Sequence, residues 1–429
     1  MRVVAARDMG RKTHLPTAYG PSSRTVLVLL AALLAALLAV APSTAAPAHA
    51  ATPTLASRLA TALRVPGLDP ARSAALAVDL RTGRVVFSRN PTLPLVPASN
   101  EKIAVAYAAL ALLGPDYRFQ TKVVGTGVQT DDIWTGDLFL KGFGDPTLTL
   151  ADVDALAAKI ASSGIRYVTG AVVGDESWFD SRRTGPGWRG RYYINESPPL
   201  SALTVARAVY RGKTAPKPAL AAAALLRQAL AARGVLVVKP ARVGTLATAG
   251  LVLAEDTSVS LARIVRYMGR ESDNHTAELL LKQLGAVELG HGTTAAGARV
   301  VRTYLAAAEI PLGGVRLADG SGLSSLDRFT ATALVALLQA GQANPSIRDA
   351  FLGSLAVAGV DGTLRGRLRK LPARGRVIAK TGTTRLACAL SGFVRDRYVF
   401  AVIQNGSPVP TWAARKAQDR FATVLAAAP

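Results

Sequence analysis

The sequence predicts an α/β protein of the α+β kind: an antiparallel sheet flanked by helices and interrupted by an inserted α+β unit. Three observations carry this. Strand patterns stand near the start of the chain and again at its very end, with Ala/Leu-rich helix patterns between them. Such an order lets one sheet be assembled from both ends of the chain. From about residue 118 to 254 the character changes to alternating segments, two helical patterns and Gly/Pro-rich loops.

In chain order, residues 1–24 carry Arg2, Arg7, Arg11, Lys12 and Arg24 against Asp8 alone. An uncharged apolar run follows over 25–41, then small residues ending in Ala48-His49-Ala50. That succession predicts a signal peptide over 1–50, cleaved after about Ala50, with a retained signal anchor as the alternative. In either case the rest of the chain acts outside the cytoplasm, in a cell-wall or periplasm-like space. A short helix is predicted over 54–64, and two strands over 73–90, joined at Gly83. Residues 98–113 lie between Pro97 and Gly114-Pro115, which start and stop a buried helix. Within the insert, 152–163 and 218–233 read as helices. Beyond it, 258–286 reads as two helices broken at Gly269–Asp273, and 293–308 and 330–341 as further helices. Three strands with short turns and a helix over 411–427 end the chain. The expected domains are 51–117 with 255–429, and the insert 118–254.

Composition narrows the surroundings more than the activity. Half of the 429 residues are apolar, which excludes wholesale disorder. Fifty-one Lys and Arg against 28 acidic residues give a net charge of +23, which favours polyanionic partners. Aromatic residues are only 6%, and no aromatic–basic stripe or nucleic-acid motif is visible, so no nucleic acid is expected. The cationic surface admits anionic wall polymers or a membrane surface instead. A single cysteine, Cys388, excludes an internal disulfide and a cysteine-based metal cluster.

The chemistry must come from few residue types. No G-x-S-x-G elbow exists, and outside the leader only His275 and His291 remain, so a Ser-His-Asp triad is poorly supported. In Ser99-Asn100-Glu101-Lys102 a serine and a lysine stand three apart near a helix start, so they share a face. Lys102 can accept the Ser99 proton if burial and a second cation depress its pKa. Taken alone, the pair also reads as a helix cap followed by a solvated charge. Ser272-Asp273-Asn274 falls in the break between two helices, where Ser and Asn ordinarily cap; functionally, Ser272 would relay a proton and Asn274 would bond the substrate amide. Lys380-Thr381-Gly382-Thr383 lies on a predicted strand. There Lys380, Thr381 and Thr383 would hold a terminal carboxylate, Gly382 would let substrate backbone approach, and the Thr383 amide would join that of Ser99 as an oxyanion hole. The plain alternative is an edge strand with a charged guard residue. Each tripeptide is weak alone; the three together, in this order, are not.

The trio is the pattern of penicillin-binding proteins and serine β-lactamases. In detail the chain resembles the low-molecular-mass penicillin-binding D-alanyl-D-alanine carboxypeptidase/endopeptidase family with an inserted domain. Pro97 to Lys102 with Leu113-Gly114-Pro115-Asp116-Tyr117-Arg118-Phe119 resembles its nucleophile helix. Gly142-Phe143-Gly144-Asp145-Pro146, Gly174-Asp175, Gly185-Pro186-Gly187-Trp188 and Ser201 to Val205 resemble its insert. Asp319-Gly320-Ser321-Gly322-Leu323-Ser324 and Ala358 to Leu364 are similar to its later signatures. The resemblance implies a serine β-lactamase/transpeptidase-like fold and a serine hydrolase of peptidoglycan stem peptides working through a Ser99 acyl-enzyme. It implies β-lactam antibiotics as covalent inhibitors, no cofactor and no metal.

Two departures follow. The interval from Ser99 to Ser272 is shorter than in the family, so its third domain is reduced or missing after Val205. The arginine the family often places after Gly-Leu-Ser is Ser325 here, with Arg328 nearby. That leaves Asp145 as the candidate for the amine of a stem diamino acid. A β-lactamase is the rival enzyme. None of Glu278, Glu288 and Glu309, however, has Asn four residues on, as a class A deacylation site requires. A non-catalytic wall-binding protein of the same fold is the rival from another class.

Overall fold

Alternation of small and branched apolar residues in Ser73–Asp79 settles which way the first strand faces. Ala74, Leu76 and Val78 turn to one layer, Ala75 and Ala77 to the other. The computed structural model describes residues 53–429; the expected leader lies outside the described residues. Ser73–Asp79 pairs antiparallel with Tyr398–Asn405, from Ser73 opposite Gln404 to Asp79 opposite Tyr398. The two ends of the described chain thereby meet in one six-stranded antiparallel sheet. Its order is Ala356–Val357, Val377–Thr383, Ala387–Val394, Tyr398–Asn405, Ser73–Asp79, Val85–Arg89.

Both faces of this sheet are covered. One carries the helices Leu55–Ala62 and Thr411–Ala426, whose Leu59, Phe421 and Leu425 pack on Phe87 and Phe400. The other meets a helical layer built around Glu101–Leu113, which is buried on all sides from Glu101 to Leu110. An apolar helix with no polar stripe has to be central. Around it stand Leu261–Arg270, Asn274–Leu289, Thr294–Ala307 and Ala331–Ala343.

The second sheet comes from the middle of the chain. Gln120–Thr130 and Ile133–Gly142 form a hairpin, with Asp131 at φ +52 in its two-residue turn. Val172–Asp175 adds in parallel on one side, and Leu251–Thr257 adds antiparallel on the other. The latter pairing runs to Thr257 opposite Gln120, carrying the sheet past position 254. Helices Leu150–Ser162 and Pro218–Ala232 cover one face, burying Trp134, Leu138, Leu156, Leu226 and Leu230. The expected helices and strands are present at their positions within a few residues. Leu251–Thr257 is a further strand that no local sequence pattern marks.

Candidate active site

Three segments far apart in sequence converge where the helical layer meets the sheet. Pro97 leads into a 3-10 turn, Ala98–Asn100, and the helix Glu101–Leu113 follows. Ala98 is fully buried at φ +48, a left-handed conformation that costs an alanine about 1–3 kcal/mol. Two glycines hold the turn there. A Cβ on Gly322 would lie 2.0 Å from the Ala98 carbonyl oxygen; one on Gly382 would lie 2.9 Å from the Pro97 oxygen and 3.0 Å from the Ser99 nitrogen. The close approach that Gly382 permits is therefore made by the Pro97–Ser99 backbone. Gly382 thus has a packing role that the sequence does not announce. Asn100 Nδ2 donates to the Lys380 carbonyl at 3.2 Å and ties the turn to the strand Val377–Thr383.

Neither residue of the first pair behaves as a cap or a solvated charge. The helix start carries no side-chain capping bond. Lys102, 1% exposed, has its Nζ 2.9 Å from Ser99 Oγ, 2.8 Å from Asn274 Oδ1 and 2.5 Å from the Ser321 carbonyl. Burial lowers its pKa to about 8, against the opposing pull of Asp319, Asp273, Glu278 and Glu101. A neutral lysine has two N–H donors and one lone pair. The Asn274 and Ser321 oxygens can only accept, so they take both donors and leave the lone pair facing the Ser99 hydroxyl.

Capping in the second segment falls to Asp273, whose carboxylate accepts from Thr276 N at 2.8 Å. Ser272 and Asn274 are thus free for other work. Ser272, at φ +60, accepts from Lys380 Nζ at 2.8 Å. Asn274 donates through Nδ2 to the Glu196 carbonyl at 2.9 Å, which turns its Oδ1 toward Lys102. The break itself is braced from outside. Arg270 pairs with Asp361, a Cβ on Gly362 would lie 2.5 Å from the Arg270 oxygen, and Thr363 Oγ1 accepts from Thr381 Oγ1 at 2.7 Å. The stretch Asp361-Gly362-Thr363 thereby links the second segment to the third.

Lys380 is no edge guard. It is 2% exposed on an interior strand and donates to Ser272 Oγ and to its neighbour's Thr381 carbonyl at 2.9 Å. Burial, then the Lys102 charge, holds its amine well below the ordinary lysine range. The second cation expected to act on Lys102 is felt in the opposite direction, by Lys380.

Ser99, Ser272, Asn274, Thr381 and Thr383 line one open cleft of about 550 Å³ together with Glu196, Leu323, Thr363, Gly366, Arg367 and Arg415. That volume suits the end of a short peptide. Lys380 and Asp145 are not among the lining residues. Lys380 meets the cleft through Ser272, whose Oγ accepts from its Nζ. Asp145 is 4% exposed, and its Oδ1 accepts from Thr147 N and Oγ1 at 2.7 and 2.6 Å. Burial raises its pKa to about 6.

Sequence reasoning missed the parts that aim Lys102. Glu278, one turn after Asn274 on the same helix face, accepts from Gly320 N and Ser321 N at 3.0 and 2.8 Å. Asp319 accepts from Gly322 N, Ser324 N and Trp188 Nε1 at 2.7, 2.8 and 2.7 Å. Together they wind residues 319–324 so that the Ser321 carbonyl meets Lys102. Glu278 is fully buried and burial raises its pKa to about 8; Glu101, also fully buried and without a hydrogen-bond partner, is raised well above the carboxylate range. The middle of the chain contributes directly: Trp188 to Asp319, Glu196 to Asn274, and Arg207 to Asp273 at 2.8 Å. The Asp-Gly-Ser-Gly and Gly-Pro-Gly-Trp signatures marked these loops, but nothing local in them names the partner.

Known proteins resemble this chain over most of its length. A family model described as the D-Ala-D-Ala carboxypeptidase 3 (S13) family matches residues 55–219 and 213–428. A D-alanyl-D-alanine carboxypeptidase of Actinomadura sp. (strain R39) is 33% identical, over 85% of this chain and 83% of its own. The carboxypeptidase DacB of Mycolicibacterium smegmatis is 32% identical, over 88% and 85%. Among solved structures, penicillin binding protein 4 (dacB) of Haemophilus influenzae superposes with a TM-score of 0.74 at 22% identity, over 85% of this chain and 98% of that one.

Proposed function

The chain belongs to the D-Ala-D-Ala carboxypeptidase 3 (S13) family, a family of serine hydrolases acting on cell-wall peptidoglycan outside the cytoplasm, and we propose that Ser99 is its nucleophile. Ser99 Oγ gives its proton to Lys102 Nζ and bonds the carbonyl carbon of the D-Ala-D-Ala amide. The Ser99 and Thr383 amides receive the oxyanion. Ser272, backed by Lys380, gives its proton to the leaving D-Ala amine as the C–N bond breaks and takes in its place the proton that Lys102 received from Ser99, which returns Lys102 to its neutral form. Water then cleaves the Ser99 ester and releases the shortened stem peptide. A β-lactam ring presents the same carbonyl to Ser99, but its leaving amine stays tethered, so deacylation stalls and the adduct persists. Asn274 bonds the substrate amide, and Thr381 and Thr383 bind near the terminal carboxylate. Asp145 is assigned to the amine of a stem diamino acid through Oδ2, since both of its bonds with Thr147 are made by Oδ1. Residues 1–50 serve as the export signal, and 118–254 form an inserted domain whose loops complete the site.

The observation that carries this reading is the bonding of Lys102, in which two obligate acceptors leave its lone pair to Ser99. The test is labelling with a fluorescent penicillin. Wild type should hold a covalent, slowly released adduct and Ser99→Ala none. Absence of an adduct on wild type would favour the non-catalytic wall-binding protein, and rapid turnover of the antibiotic the β-lactamase.

A further inference from the structure

A carboxypeptidase must recognise a chain-terminal carboxylate, and that anion needs a cation that can reach it. Lys380 does not supply one. It is 2% exposed, its Nζ donates to Ser272 Oγ and the Thr381 carbonyl, and it is not among the residues that line the cleft. The charged side chains that do line the cleft are Glu196, Arg367 and Arg415. Glu196 has the wrong sign. Arg367 is committed: its Nε and Nη2 lie 3.1 and 2.7 Å from Asp419 Oδ1, and Nη2 lies 3.1 Å from Gln418 Oε1. Arg415 is different. It projects from the helix Thr411–Ala426, is exposed, and has no carboxylate partner among the described residues. Its side-chain bond is from Nη2 to Thr383 Oγ1 at 3.3 Å, which holds the guanidinium at the mouth of the cleft beside the Thr381 and Thr383 hydroxyls.

We propose that Arg415 is the substrate-binding residue that selects a free terminal carboxylate. This rests on the reading of the cleft as a carboxypeptidase site and names the group that gives it end specificity. A planar guanidinium offers paired N–H donors to a carboxylate. Thr383 presents it at the end of the strand on which the substrate backbone would lie, and the Thr381 hydroxyl is near enough on that strand to complete the pocket. The helix carrying Arg415 is a different element from all three catalytic segments, so substitution there leaves the Ser99–Lys102 and Ser272–Lys380 contacts in place.

The test compares wild type, Arg415→Gln and Arg415→Lys on a peptide ending in D-Ala-D-Ala and on the same peptide with its C-terminus amidated. Arg415→Gln should lower kcat/KM on the free acid by roughly 10- to 100-fold, chiefly through KM, as expected for loss of a charge-assisted bond. It should leave the amide almost unchanged, and Arg415→Lys should recover part of the loss. An equal loss on acid and amide, or no loss on either, overturns the proposal. Wild type that neither hydrolyses the acid nor forms a Ser99 adduct overturns the underlying reading as well; wild-type activity with an indifferent Arg415→Gln overturns this proposal alone.

Discussion

Ser99 Oγ and Lys102 Nζ stand 2.9 Å apart, the serine in the 3-10 turn Ala98–Asn100 and the lysine in the first turn of the helix that follows it. Burial lowers Lys102 to about 8. Below that pH the amine is protonated and cannot accept from Ser99; above it the lone pair is free. The rate of penicillin acylation should therefore climb about tenfold per pH unit up to roughly pH 8 and then level off. Lys102→Ala should lower it by about 10²- to 10⁴-fold. Stopped-flow acylation across pH 6–10 checks both, and a flat profile would exclude Lys102 as the base.

Asn274 reports on the same amine from the other side. Its Oδ1 lies 2.8 Å from Lys102 Nζ. Asn274→Asp places an anion there, which stabilises the ammonium and raises its pKa. The rising limb of the pH profile should move to higher pH by at least about one unit. A profile that keeps its inflection, merely scaled down, would mean that this contact does not govern Lys102.

Gly382 tests the clamp on the nucleophile turn. An alanine methyl would sit 3.0 Å from Ser99 N and 2.9 Å from Pro97 O, and these are backbone atoms that cannot swing aside. Gly382→Ala should displace Ser99 N, the proposed oxyanion donor, and lower kcat by about 10²- to 10³-fold. Steady-state hydrolysis of a D-Ala-D-Ala peptide measures this. Wild-type kcat in a folded Gly382→Ala protein would refute the clamp.

Glu278 separates charge from hydrogen bonding. Burial pushes its carboxyl up toward the neutral form and Glu278→Gln keeps an acceptor for both amides, so that change should alter stability by less than about 1 kcal/mol. Glu278→Leu leaves the Gly320 and Ser321 amides buried without an acceptor and should cost about 2–4 kcal/mol. Urea unfolding of the two variants gives the comparison; equal costs would show that the anion, not the acceptor, matters.

Period and punctuation in the sequence located most of the elements, because those signals are local. Pro97 and Gly114 bracket a helix, Ala74 to Val78 alternate, and the Lys102 side chain follows Ser99 by the three residues that put both on one helix face. The strand Leu251–Thr257 escaped notice because what makes it a strand is its partner, Gln120–Thr130, more than a hundred positions away. Likewise nothing local to Gly382 announces that the Pro97–Ser99 backbone packs against it.

Taken by itself, the amino-acid order determined the residue types available for catalysis, the helix that pairs Ser99 with Lys102, and the strands at the two ends of the chain. Those depend on dihedral preference and apolar spacing over a few residues. Only the tertiary structure decided which oxygens surround the buried Lys102 amine, which hydroxyl the Lys380 amine bonds, and which arginine stands beside Thr383. Burial and hydrogen-bond partners set those properties, and both are supplied by segments that meet only when the sheet closes.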